Sequence, residues 1–183
     1  GLYGLATGPW SSMVPAEAKD QLGQYAGRDT EELRAMMTPS AQTQYDYVYR
    51  YVLHSDGEIE LELRVVCGGE QPEFLPRIGV TLTLPGAYEN LRWYGRGPHE
   101  SYADRKLSAA VDVYRSTVTD QYVPYILPQE HGNMTDVRWM SLTDEAGAGL
   151  LVIGDPELNF SALHYTSQDL TDAAHTHELT WRD

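Results

Sequence analysis

An all-β fold of antiparallel strands is predicted by two observations: long stretches of period-two alternation, and Asp-, Gly- and Pro-bearing turns between them. Tyr45, Tyr47, Tyr49 and Tyr51 alternate with Asp46, Val48 and Arg50, the side-chain period of a strand. The turn signal Ser55-Asp56-Gly57 follows, and then Ile59, Leu61, Leu63 and Val65 alternate with Glu58, Glu60, Glu62 and Arg64. Two such runs around an Asp-Gly turn predict a hairpin. Further short strands are expected over residues 77–84, 90–94, 109–114, 137–142, 149–153 and 159–164. Regularly spaced strands of this kind predict a sandwich. The run TDEAGAG at 143–149 is a second hairpin turn.

Helix signals are few. Pro15 followed by Ala-Glu-Ala-Lys opens like a helix, with proline early and an acid in the first turn. Thr30-Glu-Glu-Leu-Arg-Ala-Met-Met is expected to be a second helical run capped by Thr30. Residues 1–42 therefore read as a short helical or irregular lead-in, and 43–183 as the sandwich domain. Thr166 or Ser167, with Asp169 behind, caps one late helical turn.

Composition excludes several classes. The net charge of −14 argues against nucleic acid, whose phosphates need a basic surface, and suits a soluble, cytoplasmic protein. No apolar run approaches the length that crosses a bilayer. Cys67 is the sole cysteine, so neither an internal disulfide nor a cysteine zinc site can form; its place on the apolar period of a strand predicts a buried thiol. The 13 Tyr and 4 Trp against 2 Phe suit strand faces that are half wet, and such faces also bind sugars.

Candidate chemistry thins out on inspection. Asn133 and Asn159 head glycosylation sequons without a signal peptide to go with them. The glycines at 147–154 precede a strand rather than a helix, so they do not make a dinucleotide loop. His175 and His177 could share a strand face, with His164 as a third ligand, but the spacing is expected to be incidental. A retaining glycosidase needs two carboxyl groups about 5 Å apart, and no segment sets such a pair apart. Glu58, Glu60 and Glu62 read as a solvated strand face, and no catalytic or metal-binding residue is assigned.

The densest motif is WYGRGPHESYADRK at 93–106. Gly95, Arg96, Gly97 and Pro98 predict a fixed turn leaving a strand that ends at Tyr94. Glu100 and Asp104 are expected to pair with Arg96, Arg105 and Lys106. Ordering so constrained a stretch costs conformational entropy, which a neighbouring domain or a ligand would offset.

Five ordered blocks carry a family resemblance: LPRIGVTLTLP at 75–85, the 93–106 motif, YVPYILPQEHGN at 122–133, TDVRW at 135–139, and FSALHY at 160–165 with Asp169-Leu170 behind. Together they resemble the C-terminal, small-chain domain of family 2 glycoside hydrolases of the β-galactosidase type. The resemblance implies an antiparallel supersandwich related to galactose mutarotases. It implies a homo-oligomeric parent enzyme that hydrolyses terminal β-galactosides with retention, using magnesium and sometimes sodium. The catalytic glutamates would lie on a TIM barrel outside this chain, and the family's C-terminal end would lie beyond Trp181. This chain itself would need no cofactor. Trp93, Arg96, His99, Glu100, Glu130 and His131 are the candidates to face a neighbouring domain or the sugar. His131 and Met134 depart from the usual Asn and Arg. The competing readings are a free carbohydrate-binding module, resting on the tyrosines with Trp93 and Trp139, and a mutarotase-like epimerase using His164 or His175.

Overall fold

The computed structural model describes residues 30–37, 45–68 and 77–182, and it is all-β and antiparallel. The chain forms two compact units, residues 1–82 and 83–183. The expected helix at Pro15 lies outside the described residues.

In the first unit, strands β1 (Thr30–Met37), β2 (Tyr45–His54) and β3 (Ile59–Cys67) form a sheet in that order. The hairpin at Ser55–Gly57 is as expected: Gly57 takes φ +93° and donates to the His54 carbonyl at 3.0 Å. Tyr47, Tyr49 and Tyr51 stand opposite Val65, Leu63 and Leu61, so tyrosines and aliphatics share one face. Arg50 and Glu62 pair across the other at 3.3 Å. The expectation for the Cys67 thiol concerns a side chain outside the described set.

The expected helix at 30–37 is overturned, because these residues pair with β2 along their whole length, from Thr30 opposite His54 to Met37 opposite Tyr47. Helix propensity is worth only tenths of a kcal/mol per residue. A ladder gives partners to the backbone groups of an open strand edge, and that decides the conformation.

The second unit contains β4 (Asn90–Gly97), β5 (Ala110–Thr117), β6 (Met134–Thr143) and β7 (Gly149–Phe160), in the order β5-β4-β6-β7. One face of β4 is buried at Leu91, Trp93, Gly95 and Gly97. Beside it Met140, Leu142, Leu150, Val152 and Phe160 complete the apolar layer. Trp93 is fully buried, with its ring 5.3 Å from Tyr114 and 6.1 Å from Phe160.

Three further expectations change. Residues 77–84 carry alternating exposure from Val80 to Leu84 but no ladder; alternation marks a half-buried face and cannot supply a partner strand. The strands expected at 149–153 and 159–164 are one strand. Between the pairs Trp139–Ile153 and Val137–Leu158, β7 has four residues against one on β6. Gly154-Asp155-Pro156 is thus a bulge within β7 rather than a turn between strands. Gly95 and Gly97 are not a turn either, since β4 runs through both.

The glycines in β4 are explained by close approach. A Cβ on Gly95 would lie 2.6 Å from Val137 Cγ2 and 2.8 Å from Val137 Cα; one on Gly97 would meet the Tyr114 and Trp93 rings at 2.7 and 2.9 Å. The late helix α1 (Ser167–Asp172) is capped as expected: the Thr166 hydroxyl accepts from the Asp169 backbone, and the Asp169 carboxylate accepts from the Thr166 backbone.

Gly95→Ala is expected to cost about 1–3 kcal/mol, because the added methyl meets backbone as well as a side chain. A thermal melt followed by circular dichroism checks this; an unchanged midpoint would show that β4 and β6 separate freely at that level.

Candidate functional site

The site is built around one irregularity in β6. The pairing of β6 with β7 shifts between Met134, Val137 and Trp139, and Asp136 sits in the shift with φ +53°. Aspartate tolerates this left-handed conformation better than most residues. The bulge aims its carboxylate at Arg96 and at Lys106, the last residue of the motif. Arg96 Nε donates to Asp136 Oδ2 at 2.5 Å, and Lys106 Nζ donates to Oδ1 at 2.5 Å. Arg96 also donates through Nη1 to the carbonyl oxygens of Ala109 (2.8 Å) and Lys106 (3.3 Å). Lys106 and then Arg96 hold the Asp136 carboxyl below its ordinary value.

Glu100 is the second anchor, with its side chain nearly buried. Oε1 accepts from Arg105 Nη2 at 2.7 Å and from the Tyr125 hydroxyl, while Oε2 accepts from the Gly132 backbone at 2.8 Å. Burial works to raise this carboxyl, but the bonds from Tyr125 and Gly132 and the Arg105 charge outweigh it, and the net displacement is downward. Burial, then the Glu100 charge, pushes the neighbouring Tyr102 phenol up to about 12. Glu100 therefore joins the motif loop to the 122–133 block.

Backbone bonds tighten the same junction. Ser101 N donates to Asn133 O and Asn133 Nδ2 donates back to Ser101 O, both at 2.7 Å. The buried Ser101 and Thr135 hydroxyls lie 2.8 Å apart. Asn133, the head of one sequon, is thus committed inside the fold.

The structure brings four of the six sequence candidates into this junction. Trp93 lies beneath it in the core and donates from Nε1 to Arg96 O at 2.8 Å. Arg96 and Glu100 are the two anchoring side chains, and His131 is buried beside them with Nδ1 2.8 Å from Gln129 O. His99 and Glu130 are exposed; His99 Nε2 is 3.0 Å from Ser108 Oγ. The expected pairing is corrected in part. Arg105 does pair with Glu100, but Arg96 and Lys106 turn to Asp136 instead. Asp136, Tyr125 and Ser101 were not singled out in the sequence. The Asp in TDVRW offers no local sign of its left-handed backbone, and Tyr125 lies 25 residues from its partner.

The remaining histidines do not converge. His175 faces Glu178 at 3.4 Å and its ring lies 5.4 Å from that of His177. His164 instead stacks on Trp181 at 3.8 Å, with Nε2 3.1 Å from Glu89 and 3.3 Å from Thr119. Among the described residues no three His, Cys, Asp or Glu side chains gather as a metal site.

A family model described as "Beta galactosidase small chain" matches residues 9–183. This chain belongs to that family. It is 41% identical over 133 residues to a β-galactosidase of Priestia megaterium, covering 73% of this chain and 13% of the relative. It is 42% identical over 136 residues to a β-galactosidase of Bifidobacterium adolescentis, covering 71% and 13%. A β-galactosidase of an Arthrobacter species is 30% identical over 201 residues, covering 98% of this chain and 20% of the relative. The chain thus spans between an eighth and a fifth of these relatives' length.

Glu100→Ala is expected to destabilise the small-chain domain by about 1–3 kcal/mol, because the Gly132 N–H and Tyr125 hydroxyl lose their acceptor. Arg105→Ala, at an exposed position, is expected to do much less. Chemical denaturation of both variants gives the comparison, and equal losses would contradict it. Acid supplies a second test. The folded-state carboxyls of Glu100 and Asp136 are displaced downward, so their stabilisation is fully present above the unfolded values near 4 and is lost as pH falls through the folded ones. Melts from pH 6 down to pH 2 should show a shallower acid-side decline for Asp136→Asn than for the parent. Parallel curves would remove Asp136 from the account.

Proposed function

We propose that this chain is the non-catalytic small-chain part of a β-galactosidase, an enzyme that hydrolyses terminal β-galactosides with retention. The observation that carries the reading is the family match over residues 9–183, set beside β-galactosidase relatives of which the chain spans only 13–20%. The two catalytic carboxyl groups would lie on a barrel elsewhere in the longer polypeptide, and magnesium, where used, would be held there. The welded 93–136 junction shapes the barrel's substrate side from outside.

The electrostatics of the junction support a structural role. A glycosidase needs one carboxyl group raised far enough to donate a proton near neutral pH. Among the described residues every carboxyl group that departs from its ordinary value is displaced downward: Glu89, Glu100, Asp136, Asp169 and Glu178. Ion pairs and hydrogen bonds hold them ionised, which suits fastening and not acid catalysis.

The 183-residue chain by itself is expected to give no turnover of a chromogenic β-galactoside. The longer polypeptide that carries it should hydrolyse the same substrate and release the β-anomer first, as read by proton NMR. Turnover by the chain alone, or an inert longer polypeptide, would sink the proposal.

A further inference from the structure

The sheet of the second unit has an outer face that its own residues do not complete. Val113, Tyr94, Trp139 and Ile153 stand directly opposite one another across all four strands. They make an apolar row in which Val113 is 47%, Tyr94 38% and Ile153 70% exposed. Leu151 adds a further 55%-exposed side chain in the next row. Scattered exposed apolar residues need no explanation, but a contiguous band across a sheet marks an interaction surface.

The charge beside the band says what covers it. Arg92 and Arg115 are exposed and directly opposite each other in the β4–β5 register. Like charges in that position repel. Among the described residues neither has an acidic partner, although the chain carries 27 acids against 13 basic residues. The neighbouring arginines behave differently: Arg96 pairs with Asp136 at 2.5 Å, and Arg138 lies 5.4 Å from the Tyr94 ring centroid and pairs with Glu157 at 2.7 Å. Two adjacent cations left over in so acidic a chain call for a carboxylate from outside.

We propose that this outer face docks an apolar surface bearing a carboxylate opposite Arg92 and Arg115, supplied by another part of the same polypeptide. This rests on the reading of the chain as part of a longer β-galactosidase, whose relatives extend far beyond the matched stretch. A second copy meets the face less well. A two-fold axis passing close to Arg92 and Arg115 would bring the arginine pairs of two copies together. The band adjoins the welded junction, because Arg96 lies on the same face of β4 as Arg92 and Tyr94.

The test uses the intact polypeptide. Ile153→Cys is treated with a maleimide in native buffer and in urea, and labelling is read at residue 153 by peptide mass spectrometry. A docked face should slow native labelling by about a hundredfold or more. Equal rates would overturn the proposal, as would protection that vanishes on dilution, which would make the occupant a second copy. Arg92→Gln gives a sign test that does not depend on the cysteine variant folding. On a free face it relieves repulsion and holds or raises the melting midpoint. On a face docked against a carboxylate it lowers the midpoint. Galactoside turnover measured alongside separates the two claims: an active enzyme with a freely labelled residue 153 sinks the docking alone, and an inert one with residue 153 protected sinks the enzymatic reading alone.

Discussion

The second unit depends on the carboxylate of Asp136. It stands in a left-handed bulge of β6 and takes hydrogen bonds from both Arg96 and Lys106. That arrangement joins features that would otherwise be unrelated. The bulge brings Val137 and the Asp136 carbonyl so close to β4 that residue 95 must lack a side chain. Arg96, drawn to the carboxylate, also fixes the carbonyls at Lys106 and Ala109, the two ends of the turn leading into β5. One bent strand thus sets the close approach, the path of the loop and the start of the next strand. A fully exposed ion pair would contribute little, but these groups are half-buried and share a carboxylate with two donors. Such charge-assisted bonds are the stronger kind.

Glu100 extends the same logic to the far end of the loop. A carboxylate that accepts from a guanidinium, a phenol and a backbone N–H has nearly all its lone pairs spoken for. Its desolvation is offset only because every partner is present together. The loop and the 122–133 block therefore order as one piece, and the entropy of fixing so many residues is met by mutual bonding within the unit. Whatever holds the loop down was expected outside the chain. Much of it is inside.

How much of this could be read from sequence depended on range. The Ser55–Gly57 hairpin and the Thr166–Asp169 cap were legible because their determinants lie within a few residues of each other. Thr30–Met37 was misread because its local preference for helix is small beside a complete ladder with β2. Gly95 and Gly97 look like turn residues in a string of letters, yet they serve strand packing against Val137, Tyr114 and Trp93. Gly154-Asp155-Pro156 repeats the pattern: turn-like residues form a bulge inside one strand. At the candidate site, charge balance within WYGRGPHESYADRK foretold the Arg105–Glu100 pair. It could not foretell that Arg96 and Lys106 reach 30 or more residues away to Asp136.

Fastening and catalysis draw carboxyl groups to opposite ends of the titration scale. A general acid must sit where burial is poorly compensated, so that the proton is retained near neutrality. A fastening carboxylate must sit where donors outnumber its losses, so that it stays charged and directional. Glu100 experiences burial that alone would raise it, and Tyr125, Gly132 and Arg105 reverse the outcome. Remove those three and the same position would suit acid chemistry; keep them and it is a rivet. The residue type in the motif is compatible with either use, and the geometry of its donors chooses between them. Among the described residues the perturbed carboxylates all fall on the ionised side, where each stays charged and directional toward its donors.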